Sequence, residues 1–192
     1  SIGSNNTNCT INYLEIYGGK DAVLNGLYLS GALSLYSHQK VTIKDSYVHH
    51  NSADDGLNIK NSQILLTDNV FSMNSSDQVD LDSCSGYVKN NKFIYNSIVK
   101  GFNFINNPKD DNGDGLDFSG SKIIVKNNSF NGFLDKGISV GENTKAFIVN
   151  NNFSNNRSAL TVKDQSNIYL YNNSYNNNKF NLEMYQKKQI FN

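Results

Sequence analysis

Acidic residues spaced by one recurring interval are the first chemistry in this chain. Asp80 and Asp82 are two residues apart, so on an extended strand both side chains point to the same side. Asp117 and Asp114 follow, with Asp55 and Asp77 at related positions further back. If a regular winding stacks these segments, like charges roughly 5 Å apart repel by about 3 kcal/mol at an effective dielectric near 20. A cation, a lysine such as Lys60 or Lys136, or a raised carboxyl pKa has to offset that. Several hard oxygen donors in flexible surroundings suit Ca2+. The stretch Asp110-Asp111-Asn112-Gly113-Asp114 also resembles the start of a calcium loop, but its twelfth position is Ser121, where a bidentate Glu is needed.

Other polar groups could serve a ligand. Asn58, Lys60 and Tyr36 fall on the same side of the same strands and are candidate substrate-binding residues. Tyr185 lies on that side near the other end of the chain. His49-His50 sit at a bend away from the acidic strands, where an exposed turn role is the plainer reading. Asp and Asn also favour turns for local backbone reasons, which accounts equally well for Asp54, Asp55, Asp77, Asp114 and Asp135. Asp within strands is harder to explain that way, so Asp80, Asp82 and Asp117 carry more weight.

The elements that must position these residues are read from periodicity. Short apolar-x-apolar segments begin at Leu33, Leu57, Val79, Leu116, Ile138, Leu160 and Leu182, in steps of 24, 22, 37, 22, 22 and 22. A second apolar segment keeps the same beat at Val41, Ile64, Gly86, Ile123, Ala146 and Ile168. A polar column follows (Ser46, Asn69, Asn91, Asn128, Asn151, Asn173), then a mostly aromatic one (Val48, Phe71, Phe93, Phe130, Phe153, Tyr175). Four columns in one register define an all-β, right-handed, single-stranded parallel β-helix of about seven coils, each of about 22 residues. No coil buries its apolar side chains alone; stacking at roughly 4.8 Å does it. The inner Asn column can form an amide ladder. A leucine-rich repeat would need a longer Leu consensus and a helical return arm, and both are missing.

Residues 1–192 read as one domain, with an irregular N-terminal coil over 1–32 and a loop insertion over about 96–113 that can overhang the acidic face. Cys9 and Cys84 fall about three coils apart, too far for a bridge, so two free thiols are expected. Lys plus Arg and Asp plus Glu are 17 each, which argues against nucleic-acid binding. No run of about 18 apolar residues exists, so no membrane-inserted helix is expected. The last coil ends without an obvious cap, and further domains or self-association at that edge are expected.

The pattern resembles pectate-lyase-like parallel β-helix repeat proteins across nearly the whole chain. More narrowly, Asp54-Asp55-Gly56-Leu57-Asn58-Ile59-Lys60, Gly113-Asp114-Gly115-Leu116-Asp117, Asp135-Lys136-Gly137-Ile138-Ser139-Val140-Gly141-Glu142 and Tyr185-Gln186-Lys187-Lys188 resemble the β-helix region of bacterial surface proteins with spore-coat-kinase-like or lamin-tail modules. The kinase-like module is absent here, and no kinase activity follows. The resemblance implies an extracellular or cell-surface protein that binds or processes a polysaccharide or surface glycan. It also implies Ca2+ held by Asp80, Asp82 and Asp117, with Asp114 in reserve. Lys136 or Lys163 would then act as the base that removes a proton beside a uronate carboxylate, as in a polysaccharide lyase. The family's arginine is missing: Arg157, the single Arg, lies in a turn. A free Lys is a poor base unless desolvated or beside another cation. Hydrolysis by paired carboxylates among Asp80, Asp82 and Asp117 is the next reaction to consider. A non-catalytic structural or adhesive solenoid domain of a larger bacterial surface protein is the alternative.

Overall fold

The structure, a computed structural model, describes residues 7–95 and 113–191. Among them, three seven-stranded parallel sheets run the length of the molecule. The first contains Asp55–Lys60, Asp77–Asp82, Asp114–Ser119 and Lys136–Gly141; the second, Gln63–Thr67, Ser85–Lys89, Lys122–Lys126 and Lys145–Val149; the third, Val70–Ser72, Lys92–Ile94, Ser129–Asn131 and Asn152–Ser154. Each coil contributes one strand to each sheet, giving six complete coils with partial ones before and after. The register is the one the columns require: Leu33, Leu57, Val79, Leu116, Ile138, Leu160 and Leu182 lie above one another.

The N-terminal stretch is more regular than its sequence suggests. Asn8–Asn12 and Glu15–Ile16 add strands to the second and third sheets. Ala22–Leu24 and Leu27–Leu29 then form an antiparallel hairpin. Asn25 and Gly26 turn it at φ 51° and 76°, the left-handed pair that matches strand twist.

The interior is a filled tube. Phe71, Phe93, Phe130, Phe153 and Tyr175 stack nearly parallel, with ring centroids 4.6–5.4 Å apart. Leu57, Val79, Leu116, Ile138 and Leu160 are fully buried beside them. In the last coil the equivalent Leu182 and Met184 are 43 % and 68 % exposed, because no strand of the described residues pairs beyond Phe180–Tyr185.

Most corners between sheets among the described residues use two adjacent residues. The first takes a left-handed backbone; the second turns its side chain inward. Asn90, Asn127, Asn150 and Asn172 have φ from 50° to 58°, a region that Asn tolerates better than most side chains. Next to them, Asn91, Asn128, Asn151 and Asn173 build the expected amide ladder. The Asn128 carboxamide oxygen accepts from the Asn91 backbone N–H at 2.8 Å and from its Nδ2 at 3.0 Å. Asn128 Nδ2 in turn donates to Val88 O and to Asn151 Oδ1. A hydroxyl ladder, Ser121 to Thr144 to Ser166, with Cys84 donating its N–H into it, serves the corner between the first and second sheets. Asn156 and Asn178 do the same between the third and first.

Cys9 and Cys84 are free thiols. Burial pushes Cys84 up to about 12, so this thiol is inert in the core. The insertion over 96–113 falls, apart from Gly113, outside the described residues, as do Asp110, Asp111 and Asn112.

Asn128→Ala removes the oxygen that two Asn91 N–H groups share and the amide nitrogen that serves Val88 O, Lys126 O and Asn151 Oδ1. It is expected to cost about 3 kcal/mol of stability, read as a lowered urea midpoint. Asn127→Gly, one residue away on the outside of the same corner, is expected to leave that midpoint nearly unchanged.

Candidate functional site

The outward row of the first sheet is Ser34, Asn58, Asp80, Asp117, Ser139, Thr161 and Glu183, paired residue for residue. The sequence suggests an open acidic face, and the structure corrects that. Asn58, Ser139 and Thr161 have no exposed surface, and Tyr36, Lys136 and Lys163 are also buried. Part of the closure comes from long cationic side chains lying along the sheet. Lys60 reaches Asp82 at 2.8 Å and passes 5.7 Å from the centre of the Tyr36 ring. Lys136 reaches Asp114 at 3.2 Å and also pairs with Asp135. The row stays partly open at Asp77, Asp80, Asp82 and Asp117.

The carboxylates separate into two groups. Asp82 is taken by Lys60. Asp77, Asp114 and Asp117 converge, each offering an oxygen within 4.8 Å of the others. Asp77 Oδ1 also accepts the Asp114 backbone N–H at 2.6 Å. Asp80 stands beside Asp117 in the register and accepts a 2.6 Å hydrogen bond from Asn58 Nδ2. Of the four residues expected to hold a metal, Asp114 and Asp117 are therefore in the cluster, Asp80 adjoins it, and Asp82 is paired elsewhere. Asp77 completes the cluster. The sequence offered a signal for it, the spacing shared with Asp55 and Asp114, but turn preference explained that residue as well.

The electrostatics of the row are strained. Burial, then the charges of Asp55, Asp82 and Asp117, pushes Asp80 up to about 9. Burial also raises Asp55 to about 6. Asp77 and Asp114 are raised as well, burial again the main cause; Asp114 and Asp117 add to it for Asp77, and Lys136 opposes it for Asp114. Burial alone would lower Lys136, but Asp114 and Asp135 outweigh it and hold it as a cation above the usual lysine range. Between those two carboxylates Lys136 serves as a hydrogen-bond donor and a counter-charge. Lys163 has no ion pair among the described residues, and its Cε passes close to Gly141.

Three oxygens of the row are buried without a hydrogen-bond partner among the described residues: Asn58 Oδ1, Asp117 Oδ1 and Ser139 Oγ. Buried polar atoms are rarely left so, and a run of them in one row marks a place where a ligand could complete the bonding. An all-oxygen set with surplus negative charge fits a hard divalent cation. Elsewhere, His49 stacks between Tyr47 and Tyr17 with its Nε2 3.1 Å from Glu15, a structural role at the bend.

Comparison with known proteins agrees with this architecture. A family model described as "Right handed beta helix region" matches residues 98–192. No curated protein matches the chain. Among solved structures, the enzymatically active domain of tailspike protein 2 from bacteriophage CBA120 superposes with a TM-score of 0.50 at 13 % identity. The match covers 88 % of this chain but 33 % of that one, so the present chain corresponds to a third of the tailspike domain. Among the described residues no helix is long and apolar enough to cross a membrane.

The raised carboxyls have a measurable consequence. Each holds its proton in the fold at a pH where the unfolded chain, with an ordinary Asp near 3.8, has already lost it. Stability without added cations is therefore expected to fall as pH rises from about 4, through the Asp55 range near 6, to the Asp80 range near 9. Thermal melting in chelator across that span checks it. Asp80→Asn should flatten the decline and raise the melting temperature at the alkaline end. Fold and hand follow from strands and family match together: the chain is a right-handed parallel β-helix.

Proposed function

We propose that this chain is a glycan-binding β-helix domain, in which the acidic stretch of the first sheet holds Ca2+ and, through it, an anionic sugar. The observation that carries the reading is the set of unpartnered oxygens on Asn58, Asp117 and Ser139 in the row that contains the Asp77–Asp114–Asp117 cluster. Asp77, Asp114 and Asp117 would hold the ion, with Asp80 next in line. Lys136 neutralises part of the cluster's charge, and a divalent ion would balance the rest. Binding would displace the protons that burial favours on Asp77, Asp114 and Asp80, so affinity should rise with pH. The fold shared with a phage tailspike's enzymatically active domain is compatible with carbohydrate as the ligand class. The narrower resemblance to bacterial surface proteins would set the domain outside the cell.

Binding without elimination is the better-supported form. A lyase needs an unprotonated base, and Lys136 is stabilised as a cation between two carboxylates. A second reading, glycoside hydrolysis, draws on one observation: Asp80, pushed up to about 9, stands beside Asp117 and would carry the proton that a general acid needs.

Ca2+ at about a hundred times its dissociation constant should stabilise the fold by about 2.7 kcal/mol, seen as a rise in melting temperature at pH 8. Asp77→Asn and Asp117→Asn are expected to abolish that rise; Asp82→Asn should retain most of it. Absence of any shift with Ca2+, Mg2+ or Mn2+ would remove the cation from the reading. Incubation with polygalacturonate and Ca2+ should release no unsaturated ends. New reducing ends that disappear in Asp80→Asn would favour hydrolysis.

A further inference from the structure

The outer side of the second sheet carries a row that the acidic site does not use. Register stacks Leu65, Tyr87, Ile124, Phe147 and Tyr169. Tyr87, Phe147 and Tyr169 are 50 %, 48 % and 63 % exposed. The Phe147 and Tyr169 rings are stacked, 4.7 Å between centroids and 11° from parallel. A sheet with one solvated face usually places polar residues there, and a continuous exposed apolar strip marks an interaction surface.

Lysines border the strip on both sides. Lys122 and Lys145 are paired in the row before it; Lys89 and Lys126 are paired in the row after it. None of the four belongs to an ion pair among the described residues, although the chain as a whole carries no net charge. The two rows are about 13 Å apart, four residues along the strand, with the rings between them. The surface also dips: a hollow of about 420 Å³ lies over Leu65, Gly86, Tyr87 and Lys89, and one of about 250 Å³ over Ile124, Lys145 and Phe147. Gly86 is required beneath the first, since a Cβ at its φ of 134° would meet the Ile64 carbonyl oxygen at 2.1 Å.

We propose that this face binds a linear anionic polysaccharide, whose sugar rings lie along the aromatic row and whose acidic groups reach the two lysine rows. Aromatic faces and cations together would also suit a single-stranded nucleic acid. The arrangement favours the sugar polymer. A nucleic acid carries its phosphates along one edge and its bases along the other, so one basic row would serve it. A ribbon of sugar rings whose acidic groups alternate from side to side uses both. Arginine, the preferred phosphate partner, is absent from the face.

Isothermal titration in EDTA silences any cation site, so this surface is tested independently of the first sheet. The probes are polygalacturonate (carboxylate), dextran sulfate (sulfate), neutral dextran and a thymidine oligonucleotide. One or both acidic polysaccharides should bind, more weakly as NaCl is raised, and the one bound tighter identifies the acidic group. Lys122→Gln/Lys126→Gln/Lys145→Gln is expected to weaken that binding by about tenfold. Phe147→Ser should weaken it at unchanged salt dependence, and Asp117→Asn should leave it intact. The proposal is overturned if the triple variant binds like the parent, if neutral dextran binds equally, if the oligonucleotide binds more tightly than both polyanions, or if no polyanion binds. Variants that lower the melting temperature while binding normally would show a purely structural strip, and that too overturns it.

Discussion

The corner ladders are the constraint on which the whole molecule rests. A coil has to turn sharply three times, and each turn leaves backbone N–H groups inside a bend that strands cannot serve. A left-handed residue makes the turn, and the next side chain supplies the missing acceptor to the neighbouring coil. At one such corner Asn127 makes the turn, and Asn128 accepts from Asn91 and donates to Asn151. Because every rung bonds to the next coil, vertical register is fixed to the residue. The aromatic stack and the aliphatic column then coincide without any further device.

That same register creates the molecule's electrostatic difficulty. Strands locked at one separation cannot splay apart when acids coincide. Asp80 above Asp117, and Asp77 beside Asp114, are held together by a frame far stiffer than their repulsion. The frame leaves three outlets: pairing with lysine, as Asp82 does; retaining a proton, as burial favours at Asp80; or recruiting an outside cation. The ion pair is visible in the structure, burial favours the proton at Asp80, and the oxygens of Asn58, Asp117 and Ser139 that lack a partner among the described residues are where the proposed cation would act.

Much of this was legible in the sequence. The 22-residue step is imposed by stacking, so Leu57, Val79 and Leu116 had to recur, and the columns could be read without coordinates. The doubled Asn at positions 90–91, 127–128 and 150–151 records the corner's two separate demands. Asp80, Asp82 and Asp117 stood out because strands disfavour acids. What the sequence could not supply was the path of flexible side chains. Whether Lys60 turns to Asp82, or Lys136 to Asp114, depends on rotamers that no periodicity encodes, and those turns help to close a face that alternation alone makes open. Asp77 was hidden for another reason: an acid at a turn needs no special cause. The lysine-bordered strip on the second sheet escaped because its residues are ordinary one at a time, and only the pairing sets them in line.

One rung of the ladder is instructive. Asn91 and Asn128 are 37 residues apart, against 22 or 23 at the neighbouring rungs, yet their bond is as short as the rest. The scaffold is indifferent to how much chain is threaded between two rungs, provided both ends return to register. The connection from Ile94 to Asp114, which carries the extra residues, is an evolutionary port: new sequence can enter ahead of an acidic strand and be selected for what it does there, without renegotiating the stability of the tube. Specificity can diversify at that point while the cross-section stays constant.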